Sequence, residues 1–358
     1  MDYLVLLGFI AYFIIVLFIG YYFYNKSHDL SDYLLGGRKL NPYVAALSAQ
    51  ASDMSGWLLL GLPGSIFAAG IGGAWIGIGL AVGSYLAWLL IAKRLRNYTF
   101  KTKDSITLSE YFSNRFRDQK NYLRTLSAIV ILVFFTIYVA SGFVACGNVF
   151  QAIFPEVDYV YAMLIGVIII CTVLGGFKAI CWTDFIQAML MLVAIIIVPL
   201  AAMGMLGGWG DVTNILEGVG SGFLNIFQNA DGTSLTAIAI ISSLVWGLGY
   251  FGMPHILVRY MAIENPKDVK VARRVGTIWI VIALACAILI GVIGRAYAID
   301  QGITVTNPEN IFIILVGGIF APVFAGILYS ALMAAVMSTA DSQLLVASAA
   351  VTNDMYKP

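Results

Sequence analysis

The chain has 358 residues, of which 61% are hydrophobic and 11% charged. A soluble globular domain carries about a quarter charged residues, so a water-soluble protein is excluded. The formal net charge of +1 says little about partners, and the information lies in where the charges fall.

A membrane-spanning helix needs about 20 mostly apolar residues. Runs of that kind predict nine spans, near residues 3–24, 43–68, 73–92, 125–153, 159–177, 185–206, 236–257, 275–298 and 321–347. The first has Asp2 before it and no small-residue cleavage site after it, so it reads as a retained span rather than a signal peptide. The short apolar stretch 311–320 contains Gly317 and Gly318 and is expected to be a partly inserted segment on the outer side. Cys146, Cys171, Cys181 and Cys286 lie in apolar runs without metal-ligand spacing. They read as packing residues, with a disulfide or metal site as the alternative.

Orientation follows from Lys and Arg. Lys26, Arg38 and Lys39 fall in the first loop, nine basic residues from Lys93 to Arg124 in the third, Lys178 in the fifth, and five from Arg259 to Arg274 in the seventh. The long loop 207–235 holds Asp211, Glu217 and Asp231 and no Lys or Arg, and Arg295 is the one basic residue assigned to the outside. The odd loops are therefore expected in the cytoplasm and the N-terminus outside.

Two spans are interrupted by helix breakers. In the second, Ala49-Gln50-Ala51-Ser52-Asp53-Met54-Ser55-Gly56-Trp57 puts a carboxylate and two hydroxyls at membrane depth, with Gly56, Gly61, Pro63 and Gly64 weakening the helix. Polar groups and unwound backbone are tolerated there where they line a cavity or bind something. Freed carbonyls and hydroxyls beside a carboxylate form a hard-oxygen cage suited to an alkali cation. In the seventh, the break is Trp246-Gly247-Leu248-Gly249-Tyr250-Phe251-Gly252-Met253-Pro254. Five spans separate the two, so they cross in opposite directions, which is the sequence pointer to a secondary transporter's midplane site. The implied organisation is an extra N-terminal helix and cytoplasmic loop (1–41), a first five-helix repeat (42–206), an extracellular loop (207–235) and a second, inverted repeat (236–358). A full second repeat would need eleven spans, so the sequence reads as C-terminally incomplete, with a complete nine-span protein as the alternative.

Asp53 has two compatible readings, organising a cation in the broken helix or capping the helix that restarts there. Ser338, Asp341 and Ser342 share a helix face, and Ser338 and Thr339 can complete a sodium shell with carbonyls from the broken span or serve as interhelical hydrogen bonders. Asp184, with Gln187 three residues on, reads as a capping box at a span start or as a group in ion binding or release. Trp246, Tyr250 and Pro254 flank the second break and suit a small solute with charged ends, and Tyr138 can face the same cavity; packing is the other reading. His255 and Arg259 are expected to anchor the cytoplasmic interface by snorkelling. No Walker loop, HExxH or GxSxG is present, so hydrolytic and ATP-driven chemistry has no equipment.

The stretches Ala51-Ser52-Asp53-Met54-Ser55-Gly56-Trp57 with Gly61-Leu62-Pro63-Gly64, Gly175-Gly176-Phe177-Lys178-Ala179 through Trp182-Thr183-Asp184 and Gln187, Trp246 through His255, and Met337-Ser338-Thr339 resemble the sodium/solute symporter family, most closely its bacterial sodium/proline members. The resemblance implies an all-α, polytopic LeuT-type inverted-repeat fold with thirteen spans in a full-length member. It implies sodium coordination by backbone oxygens of Ala51, Met54 and Ala335 and hydroxyls of Ser338 and Thr339, and sodium coupling through Asp53, Ser55 and Gly56. It associates Tyr138, Trp246, Tyr250 and Pro254 with proline binding or its outer gate, and Asp184 and Ser342 with a second sodium site used by some relatives.

The expected function is sodium-coupled import of L-proline across the bacterial cytoplasmic membrane by alternating access. Na+ is the coupling ion and membrane lipid the surroundings. No cofactor, transition metal, nucleic acid or obligate protein partner is expected. The alternatives are the same machine with another amino acid, pantothenate or a sugar acid, and a sensory membrane module; an enzyme is the weakest reading.

Overall fold

The structure, a computed structural model, describes residues 3–24, 29–154, 175–220 and 222–356. Among these residues all the regular elements are helices, with two isolated β-bridges, Leu40 with Ile263 and Gln228 with Ser234. This is what a lipid surrounding demands, because a helix satisfies its own backbone hydrogen bonds.

The first apolar run forms α1 (Tyr3–Tyr24), which buries Val5, Phe9, Tyr12 and Val16 along one face at helical spacing. A short α2 (Leu30–Leu35) is capped by Asp29 and ends at Gly36, whose φ of +63° suits glycine. α3 (Pro42–Met54) starts with proline in its first turn and Asn41 as cap. It stops at Ser55, whose φ of +48° is strained for a non-glycine residue. One 3-10 turn follows, Gly56–Leu58, and then α4 (Gly61–Ala69). The first expected break is therefore present.

α5 (Ala74–Ala87) continues through a π turn, Trp88–Ala92, into the polar α6 (Lys93–Lys101), beyond the expected end at 92. α7 (Leu108–Phe116) leads to α8 (Tyr122–Ile153). The span expected near 159–177 lies almost wholly outside the described residues. α9 (Gly176–Met205) begins well before the expected start at 185, so Asp184 lies inside the helix and caps nothing. α10 (Trp209–Glu217) gives the 207–235 loop a helix of its own, and Ile71, Trp75 and Ala69 bond backbone groups of that loop.

The second break is also present: α11 (Ala237–Val245), a 3-10 stretch Trp246–Phe251, and α12 (Pro254–Ala262), the two arms bent by 47°. α13 (Val269–Asp300), the short α14 (Ile311–Ile319) and α15 (Pro322–Ala349) complete the described helices, and α15 ends in a π turn, Ala350–Tyr356. Among the described residues six helices are long and apolar enough to span a membrane, and the bent pair makes a seventh. α15 is the central pillar: residues 328–343 are almost all buried, and α1, α8, α9 and α3 pack around it.

Glycines let α5 meet the second break backbone to backbone. A Cβ on Gly83 would lie 2.1 Å from the Gly247 carbonyl oxygen, and one on Gly247 would lie 2.0 Å from that of Gly79. Neither neighbour is a side chain that can turn away. Gly83→Ala is expected to destabilise by about 1–3 kcal/mol, whereas Gly204→Ala, with nothing within 4 Å of its Cβ position, is expected to be neutral or stabilising. Unfolding midpoints in detergent compare the two directly.

Candidate functional site

Where α3 ends, its last carbonyls have no helical partner and point at α15. Ser338 Oγ donates to the Ala51 carbonyl at 2.9 Å and lies 3.2 Å from the Ala335 carbonyl, and Thr339 Oγ1 lies 3.3 Å from the same Ala335 oxygen. Four of the five residues expected around sodium thus present oxygens to one another across two helices. The fifth, Met54, is the last residue of α3 and is buried. These are hard neutral oxygens from an unwound helix end and two hydroxyls, the donor chemistry that suits a small alkali cation.

Beside this cluster lies a cavity of about 220 Å³. Ser55, Gly56 and Trp57 from the break form one wall, Tyr138, Ser141 and Gly142 of α8 a second, and Thr339, Ala340 and Gln343 of α15 a third, with Glu309 at one edge. Thr339 therefore touches both the oxygen cluster and the cavity. Tyr138 hydroxyl lies 3.5 Å from Ser55 Oγ. Trp246 does not line the cavity; it is exposed and stacks on Trp57, with centroids 6.2 Å apart. Tyr250 is buried and donates its hydroxyl to Asp53 Oδ2, tying the two breaks together. Pro254 lies on the α12 side of the break, away from this cavity, and lines two other recesses. Of the four expected solute residues, Tyr138 alone is on the cavity wall.

Asp184 and Ser342 are brought together by Arg259. The guanidinium Nη2 lies 2.9 Å from Asp184 Oδ2 and 2.5 Å from Ser342 Oγ, Nε donates to Ser48 Oγ at 2.9 Å, and Nη1 donates to the His255 carbonyl. Ser48 Oγ donates to Asp184 Oδ2 at 2.6 Å. Arg259, His255 and Asp184 are each at most 1% exposed. The expected snorkelling of Arg259 and His255 is corrected: a carboxylate on α9 and hydroxyls on α3 and α15 solvate the guanidinium inside the bundle, so it has no need to reach water.

At the end of the bundle rich in Lys and Arg, two arginines tie neighbouring segments together. Arg38 donates to the Met261 carbonyl at 2.8 Å and the Ser105 carbonyl at 2.8 Å and pairs with Asp104 at 2.7 Å, and Arg96 donates to the Ile263 and Glu264 carbonyls. These bonds satisfy the open carbonyls at the end of α12. Leu40 and residues 262–264 exchange two backbone bonds, so the Lys/Arg-rich ends of both broken segments are stitched to each other there. Burial lowers the Arg38 guanidinium from its ordinary value, and Asp104 opposes the shift.

The sequence reading missed Trp57, Ser141, Glu309 and Gln343 as cavity residues and Ser48 as a partner of Asp184. Gln343 had a signal, one turn beyond Thr339. Arg259 had another: an ionisable side chain in an apolar span marks a functional site by default.

One broken helix whose open carbonyls meet hydroxyls of α15 beside a cavity, tied through Tyr250 and Asp53 to a second broken helix in a multi-pass α-helical membrane protein, defines a secondary transporter. Residues 33–358 match the family described as the sodium:solute symporter family. The chain is 48% identical over 344 residues to the high-affinity proline transporter PutP of Bacillus subtilis, covering 96% of this chain and 72% of that one. It is 44% identical over 348 residues to the osmoregulated proline transporter OpuE of the same organism (97% and 70% covered), and 43% identical over 350 residues to a sodium/proline symporter of Staphylococcus aureus (97% and 67%). Its fold is similar to that of a Na+-coupled sialic acid symporter solved in a substrate-bound, outward-open state, with a TM-score of 0.83, 18% identity, and 99% of this chain and 75% of that one covered. The chain belongs to the sodium:solute symporter family, has its LeuT-type fold, and is a sodium-coupled transporter rather than an enzyme.

Proposed function

We propose that the protein imports L-proline with sodium across the bacterial cytoplasmic membrane. The observation that carries this is the meeting of the Ala51 and Ala335 carbonyls with the Ser338 and Thr339 hydroxyls beside a small cavity that Thr339 also lines. The names of the relatives support proline as the solute. The site reading assigns sodium to Ala51, Met54, Ala335, Ser338 and Thr339. Asp53 supplies a nearby negative charge and, through Tyr250, fixes one break to the other. Ser55 and Gly56 join that ion site to the solute cavity, with Tyr138 and Trp57 as its aromatic walls. Trp246 covers Trp57 from outside the cavity.

In this reading the Lys/Arg-rich end is cytoplasmic and the N-terminus outside. Residues 1–41 precede a first repeat, 42–206, and an extracellular loop, 207–235, joins it to an inverted second repeat, 236–358. Sodium draws the Ala51 and Ala335 oxygens together and stiffens the break, which shapes the cavity beside it. Each ligand then raises the other's affinity by the same factor. The contact of Arg259 with Asp184 and Ser342 supports a tethered positive charge at that place and hence one sodium per proline. One net charge moving inward with zwitterionic proline gains about 2.3 kcal/mol per 100 mV.

Labelled L-proline uptake into proteoliposomes, with and without an inward sodium gradient and beside Asp53→Asn, tests this. Sodium-driven uptake that is lost in the variant and accelerated by an inside-negative potential is the expected result. Uptake indifferent to sodium overturns the ion assignment. Sodium-driven transport of a different solute overturns proline.

A further inference from the structure

Two helices carry stripes of residues that run from the cavity toward the Lys/Arg-rich end. On α15, Thr339 and Gln343 line the cavity, and Val346 and Ala349, one and two turns further on the same face, line a smaller void. On α8, Tyr138 lines the cavity and Ile131, two turns away, the void. Pro254 and Val258 of α12, a helix that does not reach the cavity, close the void on a third side. The void is about 20 Å³ and walled mainly by apolar side chains, room for about one water molecule and no solute. Its walls on α8 and α15 belong to the same helices that wall the cavity, further toward the Lys/Arg-rich end.

A buried carboxylate sits at the far end of this seam. Asp354 is 1% exposed and lines the void. Its Oδ1 accepts from Thr107 Oγ1 at 2.7 Å, from Asn353 Nδ2 at 3.0 Å and from Arg124 Nε at 3.2 Å, and Arg124 Nη2 donates to the Asn353 carbonyl at 2.8 Å. Three elements are pinned together. Thr107 caps the start of α7, Arg124 lies in the first turn of α8, and Asp354 lies in the π turn that ends α15. A π turn rotates the residues after it off the α-helical register and frequently marks a working site. The paired side chains are 11% and 2% exposed, so water does not compete for them in the closed state. Once the void widens and admits water, hydration replaces these bonds and holding the pair together gains much less. Such an arrangement favours two discrete states, closed and dry or open and wet.

We propose that Asp354 is a positioning residue that latches the cytoplasmic end of the solute path, holding α15 against α7 and α8 until the void hydrates. The latch rests on the symporter reading for its purpose, since it closes the path by which the solute leaves the cavity. It acts through the position of α15, which also carries Ser338 and Thr339, and it touches neither sodium nor solute.

The test is sidedness of access. The protein, with Cys146, Cys171, Cys181 and Cys286 replaced by serine or alanine and Ile131→Cys added as reporter, is labelled with a membrane-impermeant maleimide in inside-out vesicles. Asp354→Asn is expected to speed labelling about tenfold, the worth of one strong hydrogen bond. Arg124→Lys is expected to fall between it and the parent, and Thr107→Ser, which keeps the hydroxyl, is expected to match the parent. Sodium-dependent proline binding from the opposite face should weaken in the same order, as the outward-facing population falls. Unchanged labelling in Asp354→Asn overturns the latch; if that variant does not fold, unchanged labelling in Arg124→Lys does so. A uniform loss of stability with no change in labelling shows a merely structural ion pair and also overturns it. If the parent responds to neither sodium nor proline, the symporter reading fails, while the labelling contrast still decides the latch because it uses neither ligand.

Discussion

Arg259→Leu is expected to lower stability by about 3–5 kcal/mol, because it leaves the Asp184 carboxylate buried without a countercharge. The guanidinium is the hub of a fully buried ion pair, at 1% and 0% side-chain exposure. It also supplies bonds to Ser48, the His255 carbonyl and Ser342, and its plane lies 5.5 Å from the Phe177 ring centroid. Arg259→Lys keeps the charge but has one point-like head in place of a planar fork, so it cannot reach all four partners and is expected to lose part of the same stability. The informative comparison is the double variant Asp184→Leu with Arg259→Met. Replacing a buried pair by apolar side chains of similar volume is often neutral, so the double variant is expected to recover most of the loss. Unfolding midpoints in detergent read all three. A loss below about 1 kcal/mol for Arg259→Leu would mean that water reaches the pair.

The second large effect concerns the ion. Thr339→Val and Ser338→Ala each remove a hydroxyl assigned to sodium. A hydrogen bond or ligand contact to a charged group contributes about 1.5–3 kcal/mol, so each is expected to raise the half-saturating sodium concentration about 10- to 100-fold at saturating solute. Ser338→Ala also removes the bond to the Ala51 carbonyl, which joins α15 to the first break, and is expected to be the more damaging of the two. Ser141→Ala alters the opposite wall of the cavity and is expected to raise the half-saturating solute concentration while leaving the sodium dependence at saturating solute unchanged. Uptake against sodium at several solute concentrations separates these outcomes. Equal sodium dependence in Thr339→Val and parent would remove Thr339 from the ion site.

Both breaks were legible because their causes are local. Gly56, Gly61, Pro63 and Gly64 weaken one helix, and Gly247, Gly249 and Gly252 the other, whatever surrounds them. The pairing of Ser338 with Ala51 was legible through family resemblance, since a contact across 287 residues leaves no trace in local pattern. Arg259 was misread for the same reason. Near the end of an apolar run a basic side chain is expected to reach water, and nothing in its neighbourhood reveals that Asp184, Ser48 and Ser342 converge on it. Tyr250 and Pro254 were expected on the solute cavity. The 3-10 geometry of the second break turns Tyr250 to Asp53, and the bend of 47° carries Pro254 to the other side.

Composition and apolar run length alone determined that this protein lives in a membrane and crosses it many times, because the cost of placing charge in hydrocarbon leaves few other arrangements for such a chain. Glycine and proline placement determined where two of its helices break. The tertiary structure decided which oxygens meet at those breaks, which side chains wall the cavity, and which buried charges neutralise each other. Those outcomes depend on the relative rotation of helices distant in sequence. That rotation is set by close packing, such as Gly83 against Gly247, and not by any one segment's own preference.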